Sequence, residues 1–301
     1  MDIQTVGIVS PGDMGHAIGA VLHQHGLRVI TNAQGRSSRT AALAKAAGII
    51  DVSNDETLVR EADILLSILP PDRAYASAGR IATAVHKTGA TLLFVDCNAI
   101  APRTAYAIDQ LLTQAGVSFV DGGIIGGPPQ PGKAGPRLYV SGVRAADVAL
   151  LQDYGLDIRV LGPHTGQASG LKMCYASLTK GSTALLTEAL VAGRALGLQE
   201  ALAAEFQSLP LFHTMEHGVP GMPPKAYRWV GEMEEIAQTF SDLGLPPQML
   251  EGAASLYRFV EGTVLGTETP EQRRYGQTLE EVVSILANAL PEHSEKKQTS
   301  Q

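Results

Sequence analysis

The chain has 301 residues, of which 45% are hydrophobic and 5% aromatic, and it carries a net charge of −7. That length allows two globular domains. The negative balance, with no Lys/Arg cluster, excludes a surface built to neutralise nucleic-acid phosphates, so the expected partner is a small molecule.

Two cysteines, Cys97 and Cys174, sit in different segments without metal-ligand spacing. They exclude a disulfide framework, imply no metal centre, and read as small buried hydrophobes. No stretch demands a membrane span and no basic leader precedes the first apolar run, so the expected location is cytoplasmic.

Taken in chain order, the apolar runs TVGIVS, LRVIT, ADILLSIL, ATLLFVD and VSFVD are each followed by an amphipathic stretch or a Gly/Pro loop. That alternation predicts βαβ units around a parallel sheet. RLYVSG and DIRVLG are the last strand signals. From Gly166 to Gly197 there is no proline and there are only four charged residues, which predicts a long buried helix, and everything beyond reads helical. The expected architecture is α/β: an N-terminal Rossmann dinucleotide-binding domain over 1–163, then an all-α domain over 164–290 for substrate binding and dimerisation. The polar stretch over 291–301 is expected to be a disordered tail.

The first strand-to-helix turn carries the cofactor signal. A dinucleotide fingerprint wants G-x-G-x-x-G there, because glycines let the backbone approach a pyrophosphate at a helix N-terminus. Here Ser10, Pro11, Gly12, Asp13, Met14 and Gly15 supply the second and third glycines and place serine at the first. At the end of the second strand, where a carboxylate would hold the ribose of NAD, the chain has Asn32, Arg36 and Ser37 instead. A guanidinium and a hydroxyl suit a 2′-phosphate, so NADP is expected over NAD.

Five segments in order, GIVSPGDMG, SILPPDRA, FVDCNAIAP, FVDGGIIGGPP and GLKMCYASLTKG, resemble the β-hydroxyacid dehydrogenases. That group includes 3-hydroxyisobutyrate and 6-phosphogluconate dehydrogenases, with imine reductases as structural relatives. GRS after the second strand and RWVGEMEEIA near the C-terminus resemble a phosphogluconate-dehydrogenase-like branch of undefined substrate. The resemblance implies that Leu69 and Pro70 help to bind the cofactor, that Asn98 lies near nicotinamide and substrate, and that Lys172 exchanges a proton with the substrate hydroxyl. It also implies a homodimer, as does the need to cover an apolar helix from 166 to 197.

General chemistry agrees about Lys172, since an ammonium on an apolar helix needs a reason and hydride transfer from an alcohol needs a base beside the hydroxyl. Lys180 has no match in the group and reads as a partner group or an exposed lysine. Two departures from the family pattern bear on the substrate, and a third bears on a cofactor contact. Ile125 stands where a substrate-binding serine is expected, leaving the backbone of Gly126 and Gly127 to hold a carboxylate, and Ala176 replaces an asparagine. Gly231-Glu232 replaces a Lys-Asp pair.

His213, Glu216 and His217 make H-x-x-E-H, a spacing some zinc peptidases use, but no third ligand or peptidase architecture accompanies it, so they read as pocket or surface residues. The expected function is an NADP-dependent oxidoreductase acting on a small hydroxy acid or carbonyl compound. An imine reductase-like enzyme and a non-catalytic NADP-binding sensor are the alternatives.

Overall fold

The computed structural model describes residues 2–130, 132–209, 212–213 and 216–291. The expected tail lies outside the described residues from 292 on. The seven strand signals form eight strands: β1 (Thr5–Val9), β2 (Arg28–Thr31), β3 (Ile50–Asp51), β4 (Ile64–Ser67), β5 (Leu93–Asp96), β6 (Ser118–Ile125), β7 (Arg137–Ser141) and β8 (Asp157–Gly162). The addition is the two-residue edge strand β3, too short to give a pattern of its own.

The strands lie in one sheet in the order β3-β2-β1-β4-β5-β6-β7-β8, parallel except between β6 and β7. Every residue of β1, β4 and β5 is buried. Apart from one polar residue at an end of each, these runs are apolar because helices cover both faces of the sheet. Side chains alternate between two cores along each strand. Ile64, Leu66, Leu93 and Val95 belong to one, and Leu65 and Phe94 to the other.

The connecting helices are α1 (Asp13–Gln24), α2 (Ser38–Ala46), α3 (Asp55–Glu61), α4 (Ala74–Thr88), α5 (Pro102–Gln114) and the short α6 (Ala145–Ala149). Successive strands run outward in opposite directions from β1 and β4, which opens a crevice at the carboxyl ends of the strands. From Gly166 onward the chain is helical, as expected: α7 (Gln167–Ala195), α8 (Gln199–Gln207), a single turn at Gly218–Gly221, α9 (Ala226–Asp242), α10 (Gln248–Glu261) and α11 (Leu279–Asn288). Glycines in the left-handed region, Gly166 at φ +92° and Gly197 at φ +72°, bracket α7.

The chain forms two compact units. One runs to Ala176 and includes Glu235–Pro247; the other contains Ser177–Glu234 and the chain from Gln248 on. The division falls within α7 and α9, and the first unit carries α7 past residue 163, where the sequence places its domain boundary.

Two expectations about burial are corrected. α7 is not buried all round, because Leu171, Tyr175, Leu178 and Leu185 are exposed while Ala168, Met173, Ala176, Ala184 and Val191 face the core. Cys97 is buried as expected, but Cys174 lies on the surface. Both departures have one cause: a helix packed on one side leaves alternate turns of an apolar sequence facing outward.

Candidate dinucleotide and proton-transfer site

The turn after β1 takes the shape that its residues allow. Ser10 occupies the left-handed region at φ +64°, a conformation that usually falls to glycine. The Gly12 N–H donates to the Ser10 carbonyl at 2.8 Å, which tightens the turn. A Cβ on Gly15 would stand 2.9 Å from the Ser10 carbonyl oxygen and 3.3 Å from Ile8, so only glycine lets α1 pack this close to β1. Around Gly12, by contrast, no atom lies within 4 Å of a built Cβ.

Gly12 is also the N-cap of α1 and offers no side chain to cap it. An open backbone at an uncapped helix N-terminus is what a pyrophosphate needs. Asp13 is held in an ion pair with Arg39 at 2.5 Å, which ties α1 to α2.

At the end of β2 lies a cavity of about 550 Å³ lined by Asn32, Gln34, Gly35, Arg36, Leu69 and residues of α4. Burial lowers the pKa of Arg36 most, and the neighbouring charges of Arg80 and Arg73 lower it further. Ser37 is the N-cap of α2, accepting from the Thr40 N–H at 3.2 Å. Pro70 precedes a short 3-10 turn at Pro71–Arg73 that leads into α4. The residues therefore fit a dinucleotide in both respects, an open phosphate cradle and a cationic pocket at the end of β2.

The far side of the crevice is organised by a row of register partners, Ser67, Asp96, Asp121 and Ser141, running across β4, β5, β6 and β7. Asp121 is buried and accepts from the backbone N–H groups of Gly166 at 2.9 Å and of Ala168 and Ser169 at 3.0 Å each. The Ser141 hydroxyl donates to it at 3.0 Å, and so does that of Ser169. This carboxylate satisfies the orphan donors at the start of α7 and pins the helix to β6.

One turn later, α7 meets β6 at Gly123, where a Cβ would stand 2.8 Å from the Ala168 carbonyl oxygen and 3.1 Å from Lys172 Cβ. Lys172 Nζ donates to the Ile124 carbonyl at 2.5 Å. The glycine pair after Asp121 thus brings Lys172 onto the part of β6 that extends past the ends of β4 and β5.

Residues 5–153 match the model for the NAD-binding domain of 6-phosphogluconate dehydrogenase, and residues 192–260 match DUF1932, a domain of unknown function. The chain is a β-hydroxyacid dehydrogenase-like oxidoreductase. It is 27% identical over 238 residues, 78% of this chain and 90% of the relative, to an uncharacterized 28.5 kDa protein in the 7S RNA 5′ region of Methanothermus fervidus.

One solved structure, a conserved protein of unknown function noted for its similarity with 3-hydroxyacid dehydrogenases, is 28% identical with a TM-score of 0.63, over 85% of this chain and 96% of that one. Mycobacterium tuberculosis 3-hydroxyisobutyrate dehydrogenase with L-serine shares the fold at 18% identity and a TM-score of 0.66, over 95% and 99% of the two chains.

In this dehydrogenase-like chain Asn98 is 2% exposed, and its amide is taken up by protein. It donates to Asp96 at 2.9 Å and to Ser67 at 3.1 Å, and its oxygen accepts from the Leu69 N–H. The side chain joins the ends of β4 and β5, so Asn98 shapes the rim of the crevice through the Ser67–Pro70 loop. Burial, with the Asp121 charge adding to it, pushes the Asp96 carboxyl up to about 7.

A carboxyl whose folded pKa lies above its unfolded one gives up stability as pH rises through that interval. Urea unfolding should therefore show the wild type losing about 4 kcal/mol relative to Asp96→Asn between about pH 4 and about pH 8. Parallel curves for the two proteins would remove Asp96 as the titrating group.

Ile125 is buried, and Gly126 and Gly127 are exposed beyond it. Gly126 sits at φ +123°, a conformation that glycine alone adopts readily, and Gly127 faces open space. In the second unit, Lys180 is not an exposed lysine. It forms an ion pair with buried Glu232 and lies 5.2 Å from the centroid of Trp229. The acidic half of Gly231-Glu232 is thus committed to a lysine of its own unit.

His213 lies 3.5 Å from Glu216, while 214 and 215 are outside the described residues. Among the described residues no group of three His, Cys, Asp or Glu is placed to hold a metal, and no helix is long and apolar enough to cross a membrane. Sequence reasoning passed over Asp121, Asp96, Asp55, Arg73 and Arg80. Only the last two left a signal, their helical spacing in RAYASAGR.

Proposed function

We propose that this oxidoreductase uses NADPH and that Lys172 moves the proton that accompanies hydride transfer between the nicotinamide and a small hydroxy acid or carbonyl compound. The observation that carries the reading is the placement of Lys172. A glycine-packed, carboxylate-capped helix sets it against β6 at the end of the sheet where the open phosphate turn lies. When bound, the nicotinamide supplies or accepts the hydride.

In the reductive direction the Lys172 ammonium donates its proton to the oxygen that becomes a hydroxyl; in the oxidative direction the amine removes that proton. The exposed backbone of Gly126 and Gly127 suits a carboxylate. Ile125 and Ala176 add no hydrogen-bonding group, which favours a substrate with few oxygens beyond those two. A panel of hydroxy acids, aldehydes and cyclic imines, followed by absorbance of the reduced nicotinamide, tests the reading. Tight NADPH binding with no turnover across the panel would favour the sensor alternative.

Arg36 supports the choice of NADPH, since among the described residues it has no carboxylate within ion-pair distance and it lines the cavity at the end of β2. Calorimetric titration should give tighter binding of NADPH than NADH. Arg36→Ala should remove most of a preference worth about 1.5–3 kcal/mol, the usual range for a charge-assisted hydrogen bond. Equal affinities in the wild type would end the argument.

We further propose a cytosolic homodimer. Leu171, Tyr175, Leu178 and Leu185 recur at spacings of four, three and seven along α7 with exposures of 37%, 46%, 72% and 65%, an apolar stripe of the kind that a second copy covers. A surface thiol at Cys174 suits a reducing compartment. Light scattering should give twice the chain mass, and Leu178→Glu combined with Leu185→Glu should shift it toward the monomer. A monomer mass for the wild type would contradict the proposal.

A further inference from the structure

The cavity at the end of β2 has a second wall. Arg73, Ser77 and Arg80 recur at spacings of four and three, which places them on one face of α4 and its leading turn, and all three line the same cavity as Arg36, on which the charges of Arg80 and Arg73 act. Two carboxylates accompany the three guanidiniums. Asp55 lies 3.3 Å from Arg80 and also accepts from the Asn32 amide at 2.7 Å, while Asp72 is 3.8 Å from Arg73 and its side chain is largely exposed. Among the described residues neither carboxylate forms an ion pair with Arg36, although the Asp55 charge reaches it, so the cavity keeps three guanidiniums against two carboxylates.

The second observation is independent of charge. Ser77 is 3% exposed, and its hydroxyl makes no hydrogen bond among the described residues. A buried hydroxyl without a partner is costly and rare, and a ligand oxygen reaching this wall would satisfy it.

We propose that Arg80, together with Arg73 and Ser77, is a second specificity-determining group for an adenosine 2′-phosphate. The phosphate monoester is held by Arg36 from the β2 loop and by α4. A dianion with several acceptor oxygens matches guanidiniums converging from two sides, whereas a ribose 2′-hydroxyl has neither the charge nor the acceptors to engage them. This inference rests on the NADPH reading above and extends it from the loop to the helix.

The test is calorimetric titration of NADPH, NADH and adenosine 2′-monophosphate into the wild type, Arg36→Ala, Arg80→Ala, Arg80→Lys and Ser77→Ala. Arg80→Ala should weaken NADPH and adenosine 2′-monophosphate about 10-fold or more and leave NADH within about three-fold. Arg80→Lys should recover part of the loss, because an ammonium keeps the charge without the fork. Ser77→Ala should cost NADPH about three- to ten-fold, the range of one neutral hydrogen bond. The NADPH slope of log Kd against log salt should flatten in Arg80→Ala.

Thermal unfolding checks that each variant folds. If Arg80→Ala does not, Arg80→Lys and Ser77→Ala carry the decision. A wild-type preference for NADPH that Arg36→Ala removes and the α4 variants leave untouched overturns this inference alone. A wild type that binds NADPH and NADH equally overturns the cofactor reading itself, and this inference with it.

Discussion

Replacing Lys172 with methionine should lower turnover by roughly 10²–10⁴-fold, the usual contribution of a positioned acid or base, while the fold and NADPH affinity persist. Methionine fills a similar apolar volume and leaves no charge to bury. Among what it removes is the 2.5 Å hydrogen bond to the Ile124 carbonyl, worth about 1 kcal/mol and far too little to unfold the domain. A lysine kept for structure alone would give the opposite pattern, a lower unfolding midpoint with turnover nearly intact. The pH profile is a second check, because the wild type should show an ionisation that the variant lacks. If Lys172→Met retains more than about a tenth of wild-type turnover on a confirmed substrate, with hydride transfer rate-limiting, the proton comes from another group or from water.

The sheet was legible because its central strands are buried on both faces, so β1, β4 and β5 appear as nearly unbroken apolar runs. Only β3 was missed, and two residues carry no period. The dinucleotide turn was legible from two glycines, although the left-handed backbone that Ser10 adopts at the first position, where glycine is usual, appears only in the structure. Lys172 stood out as a charge on an apolar helix.

What placed it there did not stand out. Asp121 reads in sequence as the ordinary end of a strand, and its five donors come from residues 20 to 48 positions away. Asn98 shows the converse. Its position in the family pattern suggests a ligand contact, but its hydrogen-bonding groups are taken up by Asp96, Ser67 and Leu69, partners that only the closing of β4 against β5 brings near. The exposure of Leu178 and Leu185 was hidden for a related reason, because composition reports that a helix is apolar and not which of its faces a neighbour covers.

Asp121→Ala should cost about 3–5 kcal/mol of stability, and Asp121→Asn only about 1. Two effects compete at this position. Burial pushes the Asp121 carboxyl up from its ordinary range, so neutralising it relieves some desolvation. Against that stand the donors. One carboxylate oxygen serves three backbone N–H groups and the Ser141 hydroxyl, and the other meets the Ser169 hydroxyl. Alanine leaves the Gly166 and Ser169 amides without an acceptor in a buried place, at about 1–3 kcal/mol each, while the Ala168 amide keeps the Ser141 hydroxyl at 3.0 Å, and the sum exceeds any relief from lost charge.

Asparagine can put its one oxygen where the three amides converge and turn its NH₂ toward Ser169, whose hydroxyl can accept. Its losses are a charge-assisted component and a rotated hydroxyl, partly offset by the desolvation relieved. Urea denaturation of the two variants measures the contrast. Turnover of the alanine variant, read well below its unfolding midpoint, should fall as well, because the first turn of α7 sets where the Lys172 stem leaves the helix. If asparagine destabilises as much as alanine, the negative charge itself holds α7, and the hydrogen-bond account of this anchor is wrong.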